Sequence, residues 1–487
     1  MTVGTLTRRR LLERGGAAAV AAMAARPASA APPKDGPNVV VLVLYTVRVD
    51  HVYGQRAQTP NIDALMARGL SFTNVFPEAM PTVPVRNSVL SGRREFPFRN
   101  WRDHPDLYPQ PGWEPVDNLA GTFTSVLRKA GYWTGYATDN PFLGYARPYG
   151  PFRRSFDAFA GTKGQLGKVV DPKTVSEAEL RRWLHPSIDS RVNRGRVRKY
   201  LANASYADDE TKSFAAQVFS DGVALLERAA RKRPFALVVD TFQPHEPWTP
   251  PRKYLELYAD PDEFSREPSQ PPYSRVRSYL KGAERTTIPA RMQALHAAEL
   301  TMTDRWLGTF LDRLNELDLE SETAIVLVAD HGIYFGEHGW TGKISSVLHP
   351  ELIQVPLVVV DPAGRAAGTT SDYRASTHDV APTLLTMAGV DVPEPMQGTD
   401  LSRLFEGRSL PRRPYSTGGY RNSFYIRDDD WSLTADNRLR DFKLFNLRAD
   451  PGEHRNVAAQ NPAVVRRLRR AAIKRAGGKP PFYAVPR

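Results

Sequence analysis

NVVVLVLY, residues 38–45, is apolar at nearly every position. A strand with one wet face alternates apolar and polar side chains. A run without alternation buries both faces, as parallel strands between helical layers do. Four more runs of this kind follow: YWTGYAT (132–138), FALVVDT (235–241), AIVLVAD (324–330) and VPLVVVD (355–361). Helical patterns alternate with them. TPNIDALMARGL (59–70) has Thr59 as a cap, Pro60 in the first turn and Gly69 as a stop. NLAGTFTSVLRKAG (118–131), the long amphipathic stretch 292–317 and DVAPTLLTMAGV (379–390) also read as helices. The alternation predicts an α/β fold: a three-layer sandwich around a mostly parallel central sheet.

Two segments interrupt the pattern. Residues 101–116 are rich in proline and aromatics and read as a surface insertion; residues 160–212 are basic and irregular and read as a helical excursion. Beyond residue 396 the pattern changes. SFYIRDDDWSLTADN and FKLFNLRADPGE read as antiparallel strands with turns, and NPAVVRRLRRAAIKR as a closing helix. The expected division is an α/β domain over 36–395 and a small C-terminal subdomain over 396–487, in keeping with 487 residues.

The first thirty residues read as an export signal rather than as fold. TRRRLLERGGAAAVAAMAARPASA (7–30) runs from twin arginines through a weakly apolar stretch to Ala28-Ser29-Ala30. The stretch is too short and too weakly apolar to span a membrane. The expectation is twin-arginine export, cleavage after Ala30, and a secreted or cell-envelope location. The formal charge is +13; Arg8, Arg9, Arg10, Arg14 and Arg26 against Glu13 account for +4, leaving +9. A basic surface favours anionic substrates or cell-wall polymers, and also reads as an ordinary solvated arginine-rich surface. No nucleic-acid motif accompanies the charge. Cysteine is absent, which excludes disulfides, a thiol nucleophile and thiolate metal sites.

In open α/β sheets ligands bind beyond the carboxyl ends of the strands. Those ends carry Tyr45, Thr241 leading into QPHEPW, and Asp330-His331. An adjacent carboxylate and imidazole offer an oxygen and a nitrogen to a divalent cation; the pair also reads as a strand-terminating aspartate beside a solvated histidine. PTVPVRNSVLSG (81–92) places Thr82 just before a short helix, as nucleophile, ligand or cap.

Taken together these segments resemble the sulfatase family of the alkaline phosphatase superfamily. PNVVVLVLYTVRVDHVYG with TPNIDALMARGLSFTNVFP resembles the family's opening. PTVPVRNSVLSG resembles its signature loop, Cys/Ser-x-Pro-x-Arg ahead of a helix. ADHGIYFGEHGWTGK, ELIQVPLVV, HDVAPTLLTMAGV and FKLFNLRADPGEHRNVA follow in the family's order. The resemblance implies the sulfatase α/β domain with a small antiparallel C-terminal domain. It implies that Arg86 braces the nucleophile and the anion. Asp330 and His331 fall on a metal-ligand pair, Lys343 on a lysine contacting the transferred group, and His245 on a histidine facing the leaving oxygen.

Three departures qualify the resemblance. Thr82 stands where the family carries the Cys or Ser converted to formylglycine, so formylglycine is excluded there; a metal-activated threonine alkoxide remains. Tyr45 and Thr46 stand where the family carries first-strand aspartates. Tyr45 is then a weak third ligand, better suited to iron or zinc than to calcium. Ala137, Thr138, Asp139 and Asn140 stand where the family often has a Lys/His pair.

The resulting expectation is an exported sulfatase-superfamily hydrolase acting on the sulfate or phosphate ester of an anionic small molecule or glycan. Thr82, Arg86, His245 and Lys343 are its catalytic residues. Asp330, His331 and Tyr45 hold one divalent ion, with calcium, manganese or zinc open. The alternative is a catalytically inactive homologue that binds an anionic glycan or cell-wall polymer.

Overall fold

A computed structural model of the chain describes residues 36–165, 170–204 and 209–484. The expected signal over residues 1–30 lies outside the described residues. The central sheet has eight strands: β1 (Asn38–Leu44), β2 (Leu70–Phe72), β3 (Trp133–Thr138), β4 (Ala158–Gly161), β5 (Phe235–Asp240), β6 (Thr323–Ala329), β7 (Leu357–Val360) and β8 (Thr369–Ser371). Their spatial order is β8-β2-β7-β6-β1-β5-β3-β4. β1 is central, with Val41 beside Val238 of β5 and Val326 of β6. All seven of its residues are buried. Its valine and leucine side chains therefore contribute roughly 1.5–3 kcal/mol each through burial.

The neighbours β6, β1, β5, β3 and β4 pair in parallel. β7 runs against them, antiparallel to both β6 and β2. Its apolar sequence reports burial on both faces, which is independent of strand direction. The connection from β6 holds only short elements, among them the one-turn helix Pro350–Ile353, and an antiparallel return needs no longer crossover.

Two helical layers cover the sheet. One contains α1 (Pro60–Arg68), α3 (Phe214–Ala229) and α4 (Glu284–Glu316); the other contains α2 (Thr82–Ser91), the helix Phe123–Lys129 and α5 (Val380–Met387). The Thr59 hydroxyl does not bond the open N–H groups of α1. The Asp304 carboxylate of α4 accepts from the N–H groups of Asn61 at 3.0 Å and Ile62 at 2.8 Å instead. A distant helix thus satisfies that helix end.

The basic excursion forms a second core. Trp183, Leu184 and Tyr200 pack with Trp248, Leu280, Met292 and Ile333. A five-stranded sheet comprises β9 (Ser416–Tyr420), β10 (Ser423–Arg427), β11 (Trp431–Asp436), β12 (Lys443–Asn446) and the two-residue strand Ala79–Met80. β9 to β12 pair antiparallel, and α6 (Pro462–Arg475) packs on them. Met80 pairs with Tyr420, so the strand entering the Thr82 loop is an edge of this C-terminal sheet.

Candidate active site

The first wall is built where β1 ends. Thr46 has φ 50°, a left-handed conformation uncommon for a β-branched residue. Its surroundings hold it there. Its N–H donates to Asp330 Oδ1 at 3.0 Å and its hydroxyl to the Pro244 carbonyl at 3.1 Å. Its carbonyl accepts from His296 Nε2 at 3.1 Å. This turn places the Tyr45 ring across the strand ends, 4.3 Å from Phe242, 4.7 Å from His245 and 5.0 Å from His331 between ring centroids.

Thr82 is the first residue of α2, and its side chain does not cap the helix. Its hydroxyl bonds the Tyr45 hydroxyl at 2.7 Å. The first turn of a helix leaves backbone N–H groups without intrahelical partners, and Pro84 removes one of them. The positive end of α2 is therefore beside the Thr82 oxygen.

One turn further on, Arg86 is buried and engaged. Nε donates to Asp240 at 2.9–3.0 Å and Nη2 to Asp240 Oδ1 at 2.7 Å. Nη1 donates to Asp330 Oδ2 at 2.7 Å and to the Thr82 carbonyl at 3.0 Å. Burial opposes the guanidinium charge, but the Asp240 and Asp330 carboxylates outweigh it and raise its pKa. Asp330 is held below its ordinary value: burial pushes it up, and His331 and Arg86 more than compensate. Tyr136 donates to Asp240 Oδ2 at 2.8 Å.

His331 donates from Nδ1 to the Gly332 carbonyl at 2.8 Å, so Nε2 carries the lone pair. That nitrogen is buried, has no hydrogen-bond partner among the described residues, and lies 3.8 Å from Asp330 Oδ2. His245 has the same tautomer, because Nδ1 faces the Glu246 carbonyl. Burial pushes its pKa down to about 3, so Nε2 is a neutral acceptor.

Lys343 Nζ donates to both Glu246 oxygens, at 2.7 and 2.9 Å, and Tyr273 bonds the same carboxylate. A three-stranded sheet positions these groups. Ser274–Arg275 pairs with Trp340–Gly342, bringing Tyr273 and Lys343 to the same edge.

Thr82, His245 and Lys343 line one cavity of about 250 Å³, together with Tyr45 and Glu246. Its other walls are mostly aromatic: Tyr108, Trp113, Phe142, Tyr200, Phe242, Tyr273 and Tyr420, with the exposed Arg196 at the edge. The insertion 101–116 is therefore more than surface, since Tyr108, Gln110 and Trp113 belong to it. Arg86, Asp330 and His331 do not line the cavity. The Arg86 guanidinium is 5.6 Å from the centroid of the Tyr45 ring, and the Lys343 ammonium is 5.0 Å from it. The expected single cluster thus divides at Tyr45. Asp139 and Asn140 serve the backbone: Asp139 accepts from the Phe242 N–H at 2.6 Å, and Asn140 caps the helix Pro141–Tyr145. Asp240, Glu246 and Tyr273 join the site without having been singled out from the sequence.

The resemblance implies a divalent cation. Asp330 Oδ2 and His331 Nε2 are the two expected donors that come together. The third, Tyr45, is held as a neutral phenol: burial and the charges of Asp330 and Glu246 drive its pKa up. The described residues contain no group of three or more histidines and carboxylates able to hold a metal. Arg86 already supplies the charge beside Asp330. Its Nη1 donates to Asp330 Oδ2, one of the two expected donor atoms, which is thereby already engaged by a cation. The residues present do not fit a resident divalent ion.

Comparison with known proteins bears on the whole chain. The family model described as Sulfatase matches residues 37–390, and one described as N-sulphoglucosamine sulphohydrolase, C-terminal, matches residues 336–474. An arylsulfatase of Clostridium perfringens is 24% identical over 480 residues, covering 92% of this chain and 96% of the relative. A choline-sulfatase of Rhizobium meliloti is 25% identical over 424 residues, covering 83% and 78%. Among solved structures, the phosphonate monoester hydrolase of Agrobacterium radiobacter superposes with a TM-score of 0.68 at 20% identity, covering 91% of this chain and 96% of that one. With the α/β sandwich and the second, antiparallel sheet in place, the match over residues 37–390 makes the chain a member of the sulfatase family, a family of ester hydrolases.

Proposed function

We propose that the chain hydrolyses a sulfate or phosphate ester, with the Thr82 hydroxyl as nucleophile. The observation that carries this reading is the Thr82 oxygen itself: it is at the start of α2, hydrogen-bonded to Tyr45, in a cavity shared with His245 and Lys343. In the first step Thr82 Oγ1 bonds to sulfur or phosphorus and the bond to the ester oxygen breaks. His245 Nε2, a neutral acceptor, takes the threonine proton. His245 enters the step with no proton on Nε2, so the leaving oxygen takes its proton from the Lys343 N–H not committed to Glu246. Water then attacks the sulfur or phosphorus: its hydroxyl stays on the product, its proton returns to Lys343, and His245 gives its proton back to Thr82 Oγ1 as the threonyl ester bond breaks. A threonyl ester has no second hydroxyl on the same carbon to expel the product, which favours phosphorus over sulfur on chemical grounds. Relatives named as sulfatases favour sulfur. The aromatic walls suit a flat or apolar alcohol portion.

The test is turnover of an aryl sulfate, an aryl phosphate and a phosphodiester by the wild-type chain, Thr82→Ala and Thr82→Ser. The expected result is activity on at least one ester, lost in Thr82→Ala and partly kept in Thr82→Ser. Equal rates in wild type and Thr82→Ala would refute the nucleophile. Export belongs to the same proposal: replacing Arg8, Arg9 and Arg10 by lysine is expected to retain the protein inside the cell, and unchanged export would refute it. The division near residue 396 is likewise proposed, with limited proteolysis between α5 and β9 as its check.

A further inference from the structure

Two strands flank β1 in the sheet, and both end in a carboxylate. Asp240 closes β5 and Asp330 follows β6. Both side chains are fully buried. Two buried carboxylates, one on each side of the end of β1, call for a positive charge. In this chain the cation is covalently attached. Arg86 reaches in from α2 and spends four of its five N–H groups there, on Asp240 twice, Asp330 once and the Thr82 carbonyl once. The carboxylates are saturated in return. Asp330 Oδ1 accepts from the N–H groups of Thr46 at 3.0 Å and His331 at 2.7 Å, and Asp240 Oδ2 accepts from Tyr136.

We infer that the Arg86 guanidinium is the resident cation of this site, occupying the electrostatic position between Asp240 and Asp330 that a divalent ion would otherwise take. Arg86 is on this view a positioning residue. It touches the backbone of Thr82 rather than the cavity, and it ties the start of α2 to the ends of β5 and β6. A guanidinium differs from an ion in two respects. It cannot dissociate, and its planar fork imposes direction on both carboxylates. The charge balance at the two carboxylates is thereby fixed by the sequence rather than by metal supply.

The inference concerns metal binding and stands independently of Thr82. The full-length protein is purified, its metal content is measured by mass spectrometry, and its thermal unfolding is followed with EDTA and with added calcium, manganese or zinc. The wild-type chain is expected to carry no stoichiometric divalent metal and to keep its melting temperature under all four conditions. Removing the guanidinium should create the missing site. In Arg86→Ala, the Asp240 and Asp330 carboxylates are left without their counter-charge and open to a cation from solution. That variant is expected to melt lower than wild type and to regain part of the loss with manganese or zinc. Arg86→Ala combined with Asp240→Asn is expected to lose that response. A wild-type chain that co-purifies with a stoichiometric ion, or melts lower in EDTA, overturns the inference even if no variant folds. A folded Arg86→Ala chain indifferent to all three ions overturns it as well.

Discussion

The Lys343–Glu246 pair allows a quantitative prediction. Both side chains are almost completely buried, at 5% and 0% exposure. Burial alone would raise the Glu246 pKa; His245, Lys343 and Tyr273 outweigh it and bring the group from 4.5 down to about 2. Above about pH 3, where His245 is neutral, Lys343 and Tyr273 are the groups that hold this carboxylate in its charged form. Because the folded pKa is depressed, this contribution is complete above pH 4.5 and lost as pH falls through 2. Lys343→Met leaves the carboxylate buried without its cation, so the expected loss at pH 8 is about 3–5 kcal/mol. The deficit should shrink as pH falls, because Glu246 in the variant binds a proton that the wild-type group refuses. Lys343→Met with Glu246→Gln should recover most of the loss at pH 8. Urea unfolding of wild type, both single variants and the double variant at pH 8 and pH 5 gives the coupling energy directly. A Lys343→Met loss below about 1 kcal/mol at pH 8, or no recovery in the double variant, would refute the reasoning.

Three further outcomes are expected. Asp139→Asn should stabilise the protein at high pH: burial pushes the Asp139 pKa up from 3.8 to about 7, so folding is penalised increasingly as pH rises through that range. The gain approaches about 4 kcal/mol at pH 8 and vanishes near pH 4, as read from urea midpoints. Tyr45→Phe keeps the ring but removes the 2.7 Å bond to Thr82; turnover should fall about tenfold with little change in KM, the worth of one neutral hydrogen bond. Gly332→Ala should destabilise by about 1–3 kcal/mol, because a Cβ there would lie 2.0 Å from the Glu351 carbonyl oxygen; an unchanged melting curve would contradict that packing.

The architecture was readable because burial on two faces leaves runs such as 38–45 without alternation. Direction was not, because VPLVVVD carries the same signal whether it runs with its neighbours or against them. The site was readable where chemistry and chain position coincide. Thr82, His245 and Lys343 meet at one cavity, and Asp330 and His331 lie at the end of β6. What escaped was pairing over distance. Arg86 meets Asp240 across 154 positions, and an aspartate closing an apolar run looks like any strand end. Glu246 lay beside His245 in QPHEPW and became legible as the partner of Lys343 only once β5 and the small sheet were folded together. The side of the cavity taken by Tyr45 depends on the turn at Thr46, which no periodicity announces.

The pairing of Met80 with Tyr420 has a consequence for biosynthesis. The strand that delivers Thr82 emerges early from the ribosome, but the edge that clamps it is translated some 340 positions later. Until residues 416–420 are made, the segment leading to Thr82 lacks the strand it pairs with. The entrance to α2 is thus completed by a segment distant from it in the order of synthesis.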